Sequence, residues 1–231
     1  MLDVTESWLC ASITAMRRRV VHRLADAAPR SLLVRRGGAT DPRVALTFDD
    51  GPDELTPRYL DVLDRLDVRA TFFVVGESCL RHPGHLREIV ARGHEVASHG
   101  HTHRVFPSLS ARDLAGELAL VEREIPPSEG RRPLLRPPRG SLSPQSLLRC
   151  AAAGYTTVLW SVDSDDCRTE AVDEIVRRAS EAGPGDIVLL HEGQPWTLEA
   201  LPPIVASVRA AARKLATVSE LLSGESARHV D

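Results

Sequence analysis

The stretch Val44-Ala45-Leu46-Thr47-Phe48-Asp49-Asp50-Gly51-Pro52 determines how the rest of the chain is interpreted. Residues 44–48 are apolar or β-branched, as is typical of a short buried strand, and Gly51-Pro52 ends it. Two adjacent carboxylates therefore leave the strand at its C-terminal end. Like charges at the rim of a core are costly unless a metal or a basic group lies beside them. The stretch favours a functional site, and the alternative interpretation is an ordinary turn after a strand.

Predicted strands alternate with predicted helices after this stretch. The strands are expected at 44–48, 70–75, 94–98, 134–137, 155–162, 186–191 and 214–218, and the helices at 56–66, 83–92, 110–125, 143–154, 169–182, 197–213 and 220–222. Seven strands in such an alternation predict a parallel sheet, either doubly wound or closed into a barrel. The glycine-rich motifs of nucleotide-binding sheets do not occur, which disfavours that class.

Local signals define several helix boundaries. Thr56 before Pro57 predicts a threonine cap, and Ser110 with Asp113 predicts a capping box. Pro202-Pro203 predicts a kink or a restart in the helix at 197–213. Residues 30–43 are interpreted as a connector.

Composition limits the classes of partner and compartment. The 231 residues fit one domain with a large core, and a net charge of −3 gives no indication of nucleic-acid binding. The four cysteines lack CxxC spacing, so free thiols in a reducing compartment are expected.

No apolar run reaches the ~18 residues of a membrane span. Acidic residues precede the apolar N-terminal stretch and arginines follow it, unlike a signal peptide, so we predict a cytoplasmic location.

The N-terminal segment has a charge of its own. Residues 1–36 hold seven arginines against three acidic residues. Residues 7–29 are predicted to form an amphipathic helix whose arginine side could contact anionic lipid headgroups. The alternative is a solvated face on a helix that packs over the domain.

Polar residues follow five of the seven predicted strands. They are Asp49-Asp50, His99 to His103, Arg136 to Gly140, Asp163 to Asp166, and His191. Parallel α/β folds place their chemistry at the C-terminal ends of strands. These groups are therefore expected on one rim of the sheet.

The spacing of His99 and His103 suggests a shared metal. Four residues apart on a helical turn, two imidazoles lie on one side. One carboxylate from the first strand completes a set of two histidines and one aspartate with open positions, which suits a zinc-type hydrolytic site better than a closed structural one. The alternative is a pair of surface histidines in a loop.

The remaining groups fit amide or ester hydrolysis. The carboxylate that does not bind the metal can act as general base, and Arg136 can hold it ionised. A backbone N–H in the loop 136–140 can stabilise an oxyanion. His191 can protonate the leaving amine, aligned by a carboxylate such as Asp163. No nucleophile elbow occurs, so a covalent route is disfavoured.

The ordered motifs resemble those of a known family. Thr47-Phe-Asp-Asp-Gly-Pro52, His99-x-x-x-His103, Arg136-Pro-Pro-Arg-Gly140, Asp163-x-x-Asp166 and Leu190-His191 look like the five motifs of the polysaccharide deacetylase family, the NodB-homology domain of carbohydrate esterase family 4. The resemblance covers about residues 42–222. The chain is therefore divided into an N-terminal helix and connector at 1–41, which lie outside the resemblance, a deacetylase domain at 42–224, and a tail at 225–231.

The resemblance also implies a fold, a reaction and residue roles. The fold would be a distorted (β/α) barrel of about seven parallel strands, and the reaction the removal of acetyl groups from a saccharide or amino-sugar conjugate. Zinc is the expected metal, with cobalt, nickel or manganese possible. The implied roles are Asp49 as base, Asp50, His99 and His103 as metal ligands, Arg136 orienting Asp49, the backbone N–H of Arg139 at the oxyanion, His191 as acid tuned by Asp163, and Leu190 lining the pocket for the acetyl methyl.

Two positions depart from the family pattern. Arg139 replaces the usual aromatic of the third motif, and Cys167 the usual tryptophan of the fourth. We therefore predict an acidic, phosphate-bearing or small substrate, for which a lipid- or nucleotide-linked amino sugar would be suitable. Cys167 is interpreted as a pocket-wall residue, with a further metal ligand as the alternative. Two other functions stay open: a deformylase or other amide hydrolase, and a saccharide-binding pseudoenzyme without activity.

Overall fold

A single curved sheet of parallel strands forms the centre of the molecule. The computed structural model describes residues 28–128 and 131–223. The strands are β1 Leu33–Val34, β2 Arg43–Asp49, β3 Thr71–Val74, β4 Glu95–Ser98, β5 Leu134–Leu135, β6 Thr156–Val158, β7 Val162–Asp163, β8 Ile187–His191 and β9 Lys214–Ala216. Every paired strand runs parallel to its neighbour, which confirms the predicted parallel sheet.

The strand order bends the sheet into an open barrel. It runs β1-β6-β5-β4-β3-β2-β8-β7, with β9 also paired to the first half of β2. β6 and β7 lie near opposite ends of this order, yet only residues 159–161 separate them in the chain. The two ends of the sheet must therefore lie close together. The distorted barrel is confirmed. Among the described residues no ladder pairs β1 with β7, and an isolated bridge between Arg36 and Asp186 links the segment after β1 to the start of β8.

Helices follow most of the strands. They are α1 Thr56–Arg65, α2 Gly76–Arg81, α3 Pro83–Ala91, α4 Ala111–Val121, α5 Pro144–Ala152, α6 Val172–Ala179, α7 Pro195–Ala210 and α8 Val218–Ser223, with 3₁₀ turns at Phe106–Ser108 and Pro138–Gly140. None of the helices in the described part of the chain is long and apolar enough to cross a membrane.

The local helix signals were partly right. The Ser110 hydroxyl accepts the N–H of Asp113, as predicted. The cap predicted at Thr56 is wrong, because Asp53 Oδ1 accepts the N–H groups of Leu55 and Thr56 instead. The restart predicted at Pro202-Pro203 does not occur, since α7 continues through both prolines. Buried neighbours such as Leu201 hold these turns against the core, and tertiary packing supplies most helical stability in proteins.

The sheet begins earlier than predicted. β1 lies within the stretch interpreted as a connector, where Leu33 pairs with Thr157 and Val34 with Val158. The single strand predicted at 155–162 is divided into β6 and β7. The predicted helix at 7–29 lies outside the described residues, apart from its last two. Cys10 and the tail 225–231 also lie outside them. The lipid contact and the cytoplasmic location therefore stay predictions.

Alternation along the strands separates two apolar cores. On β2, Val44, Leu46 and Phe48 pack outward with the helix layer, whereas Ala45 packs in the barrel interior. Successive side chains of a strand point to opposite faces, so Thr47 and Asp49 share the interior face with Ala45. This alternation decides which side chains reach the rim of the barrel.

Candidate active site

A cavity of about 550 Å³ opens at the C-terminal ends of the strands. Residues from all five sequence motifs contribute to its walls. The lining residues are Asp49, Asp50, His99, His103, Arg139, Trp160, Asp163, Cys167, Arg168, Leu189 and His191. The single rim expected for these groups is therefore present.

Arg136 and Asp49 form an ion pair in the barrel interior. Nη1 of Arg136 lies 2.6 Å from Asp49 Oδ1, and the arginine side chain is fully buried. The same Nη1 donates to Thr47 Oγ1 at 2.8 Å. The guanidinium also stacks over the Phe73 ring, 4.0 Å from its centroid. Burial lowers the pKa of Arg136 while Asp49 opposes that effect.

Asp50, His99 and His103 converge at the mouth of the cavity. Asp50 Oδ1 lies 3.4 Å from His99 Nε2 and 3.1 Å from His103 Nε2. The pairing of the two histidines was expected, but the helical turn was wrong, because residues 99–103 form a loop. Gly100, with φ of +82°, and His103, with φ of +57°, reverse the chain there. The two imidazoles are therefore brought together by left-handed residues in a loop, and not by the helical turn that the sequence predicted.

These three residues fit a divalent metal of the zinc type. One ligand atom from each lies within 4.8 Å of the others. The Nδ1–H of His99 donates to the carbonyl of Arg136 at 2.8 Å, so Nε2 is the ring nitrogen that faces Asp50 and is available as a metal ligand. Burial raises the pKa of Asp50, but hydrogen bonds from His103 and His99 outweigh it and hold that pKa well below its usual range. Two imidazoles and one carboxylate leave coordination positions open.

The carboxylate that orients His191 is Asp166, not Asp163. Asp166 Oδ1 accepts the Nδ1–H of His191 at 2.7 Å, while its Oδ2 accepts the backbone N–H of His191 and the Thr197 hydroxyl. Burial lowers the pKa of His191, but Asp166, with smaller contributions from Asp49 and Asp50, raises it to about 9. At neutral pH the imidazole is therefore protonated.

The local backbone explains why the prediction of Asp163 was wrong. Asp163 is the last residue of β7 and pairs in register with Leu189, two residues before His191. The chain then turns at Asp165, with φ of +65°. This turn carries Asp166 back under His191, and Asp163 stays in the cavity wall.

The apolar wall residue is Leu189 rather than Leu190. Leu190 is in register with Phe48 and packs with it in the outer core. Leu189 is two residues from His191 and shares its face, so it lines the cavity. The sequence motif named the right strand but the wrong side of it. Trp160, which the sequence reasoning did not select, adds an indole to the same wall.

Cys167 lies in the cavity wall, as predicted. Its thiol is exposed and free, and burial of part of its surface raises its pKa. Its sulfur lies within 4.8 Å of ligand atoms of Asp166 and His191. It is therefore grouped with the candidate acid rather than with Asp50.

Glu192 supports the loop of Asp50 from beneath. Its Oε1 accepts from the Thr56 hydroxyl at 2.6 Å, and its buried Oε2 has no partner among the described residues. A Cβ on Gly51 would lie 1.5 Å from that Oε2, so only glycine leaves room for the carboxyl. Burial raises the pKa of Glu192 to about 8, with Asp53 and Asp50 adding to the shift and the Thr56 hydrogen bond opposing it.

Comparison with known proteins agrees with the motifs and the fold. A sequence model described as polysaccharide deacetylase matches residues 36–158, more than half of the chain. The chain belongs to the polysaccharide deacetylase family. A chitooligosaccharide deacetylase of Sinorhizobium fredii is 40% identical over 168 residues, which cover 70% of this chain and 77% of that protein.

Other relatives of the family act on different glycans. A peptidoglycan-N-acetylglucosamine deacetylase of Bacillus cereus is 36% identical over 187 residues, covering 78% of this chain and 87% of that protein. The solved chitin deacetylase of Colletotrichum lindemuthianum superposes with a TM-score of 0.75 at 27% identity, covering 84% of this chain and 93% of that one. All three of these relatives are named as carbohydrate deacetylases.

Removing the buried guanidinium should destabilise the fold. In Arg136→Met, Asp49 would remain buried without its partner, so the free energy of unfolding should fall by about 3–5 kcal/mol. Urea unfolding of the metal-free protein measures the loss. Arg177→Met is the control, because its ion pairs with Glu174 and Glu181 are exposed and should contribute nothing measurable. Equal unfolding of both variants and the parent would contradict the assignment.

Glu192→Gln should change how stability depends on pH. The folded-state pKa of about 8 lies above the unfolded value of about 4.3, so the folded protein binds more protons between these values. The free energy of unfolding should therefore fall as pH rises from about 4.5 to about 8, by up to roughly 5 kcal/mol. The glutamine variant should lack this fall in urea unfolding at pH 5 and pH 9. Exposed Glu199→Gln should behave like the parent, and a parallel pH dependence in all three proteins would refute the effect.

The two aspartates of the fourth motif can be distinguished by NMR titration of His191. Asp166→Asn removes the group that raises its pKa, so burial should then hold that pKa below its ordinary value of about 6.5. Asp163→Asn should leave it near the parent value of about 9. A larger drop in the Asp163 variant would reverse the assignment.

Proposed function

We propose that this chain is a metal-dependent N-deacetylase of an amino sugar in a saccharide or saccharide conjugate. The main support for this proposal is a single cavity in which three groups meet. They are the Asp49 carboxylate bound by Arg136, the cluster of Asp50 with two histidines, and the protonated imidazole of His191. The family relationship supports acyl removal from carbohydrate, since the named relatives are deacetylases. The amino-sugar substrate and the metal dependence are both part of what we propose.

Asp50, His99 and His103 would hold the metal. Their nitrogen and oxygen donors suit zinc first, with cobalt, nickel or manganese as alternatives. When bound, such an ion polarises the acyl carbonyl and lowers the pKa of a coordinated water.

Asp49 would act as the general base. Its Oδ1 accepts a hydrogen bond from Nη1 of Arg136, which holds the carboxylate in one orientation beside a buried positive charge. Its Oδ2 lies 3.7 Å from His99 Nε2, beside the candidate metal ligands. That oxygen is the one in position to take a proton from the attacking water.

His191 would protonate the leaving amine. Asp166 binds its Nδ1–H and leaves Nε2 for the substrate. With a pKa of about 9, the imidazole carries its proton at neutral pH, and Asp166 stabilises that charge in the manner of an orienting carboxylate.

The acyl group would lie between Leu189 and the loop of Arg139. Leu189 and Trp160 provide the apolar wall of the cavity and would contact the acyl methyl. The backbone N–H of Arg139 is assigned to the oxyanion, where a preorganised donor lowers the barrier.

Acid release tests the proposed reaction. Protein loaded with zinc or cobalt is incubated with acetylated chitooligosaccharides, peptidoglycan fragments, and nucleotide- and lipid-linked amino sugars, and both acetate and formate are measured. Asp49→Asn should lower acetate release by about 10²–10⁴-fold, because the general base is lost. Asp173→Asn, an exposed carboxylate of α6, is the matched control and should leave the rate unchanged.

The other outcomes identify the competing functions. Formate in place of acetate would replace the proposal with deformylation. Saccharide binding with one equivalent of metal and no acid release from any substrate would favour the pseudoenzyme.

A further inference from the structure

We propose that Arg139, assisted by Arg168, binds an anionic group on the substrate, a carboxylate or a phosphate near the acetylated sugar. This inference rests on the proposed deacetylation in the same cavity. Both guanidinium-bearing residues line that cavity together with the candidate metal ligands. A ligand held by them would therefore also reach the reacting centre.

The backbone conformation of its loop places Arg139 at the cavity. Its φ is +57°, a left-handed conformation that is unfavourable for a non-glycine residue. The following Gly140 packs against Trp160 so closely that a Cβ would lie 2.6 Å from the indole. The loop is thereby fixed on the cavity wall, and the arginine side chain starts from a defined position.

Arg139 differs from the other cations of the site because its side chain has no partner within residues 28–128 and 131–223. Arg136 is paired with Asp49 at 2.6 Å, and His191 with Asp166 at 2.7 Å. The exposed guanidinium of Arg139 makes no hydrogen bond or ion pair with any described residue. An unpaired charge beside a reaction centre is available for a ligand, and the planar fork of arginine matches carboxylate and phosphate oxygens.

Arg168 can supply a second positive charge. Its side chain is 61% exposed and pairs with Asp165, an acid that Arg178 also contacts at 3.4 Å. Exposed pairs of this kind contribute little free energy, so an incoming anion can compete for the guanidinium. Asp163 faces the same cavity and opposes an anion on its side, which favours the side of Arg139.

A matched set of substrates isolates the anionic group. We would compare tetra-N-acetylchitotetraose with its aldonic acid, which adds a carboxylate, and with its 1-phosphate. The parent should use at least one anionic form about tenfold better in kcat/KM, mainly through KM, and the preference should weaken as salt screens the charges. Preference for the aldonate assigns a carboxylate site, and preference for the 1-phosphate assigns a phosphate site.

The ratio of anionic to neutral kcat/KM is the readout in the variants. Arg139→Gln should bring this ratio to about one, and Arg168→Gln should lower it in part, whatever happens to the neutral rate. Arg87→Gln removes an exposed arginine of α3 that lies outside the cavity and should leave the ratio unchanged. A ratio of about one in the parent, or a ratio that Arg139→Gln does not move, would overturn the inference.

A binding measurement separates this inference from the proposed reaction. Calorimetric titration of the metal-loaded Asp49→Asn variant with the same three saccharides needs no turnover. Tighter binding of an anionic form that disappears on adding Arg139→Gln supports the anion site even if no acid is released. Equal affinity for all three saccharides contradicts it even if acetate is released.

Discussion

The structure depends on one charged side chain placed inside the barrel. Arg136 leaves β5 and crosses the interior to Asp49 and Thr47 on β2, while the carbonyls of Val158 and Leu159 accept from its other nitrogens. Burying a guanidinium costs several kcal/mol unless a partner and hydrogen bonds compensate it. Here the contacts to Asp49 and Thr47 on β2 and to Val158 on β6 also join strands of the sheet. Its main-chain carbonyl additionally accepts from His99, so one residue positions both the candidate base and a candidate metal ligand.

The loop after β2 and the loop after β8 hold each other in place, because a carboxyl group of each fills the space beside a glycine of the other. The carboxyl of Glu192 occupies the space beside Gly51, and the carboxyl of Asp53 occupies the space beside Gly193, where a Cβ would lie 2.5 Å from it. The backbone N–H of Glu192 also donates to the carbonyl of Asp49. The candidate base and acid end β2 and β8, and Asp50 follows directly after β2, so these groups cannot shift independently. Such preorganisation lets charged groups act without reorganising during the reaction.

The cavity combines a rigid centre with an adaptable edge. Its inner groups are buried and paired, as the distances around Asp49 and His191 show. Its outer wall carries Arg139, Arg168 and Cys167, which are exposed. Differences in substrate among members of one family are expected at such an edge, since function resides in sites built on a shared fold. The two departures seen in the motifs, Arg139 and Cys167, both lie there.

The sequence by itself determined the parallel alternation and the rim on which the ionisable groups meet, because these follow from strand periodicity and from which strand each residue ends. It also paired His99 and His103 with one carboxylate of the first strand, and the family resemblance named that carboxylate as Asp50. Only the tertiary structure decided between neighbours a few residues apart. Asp166 replaces Asp163 because the chain turns at Asp165, and Leu189 replaces Leu190 because register with β2 sets the face. β1 was missed because two residues form too short a pattern, and they are held by pairing with β6 and by burial in the barrel interior. Turn dihedrals and long-range register arise from packing of the whole chain, which local patterns do not specify.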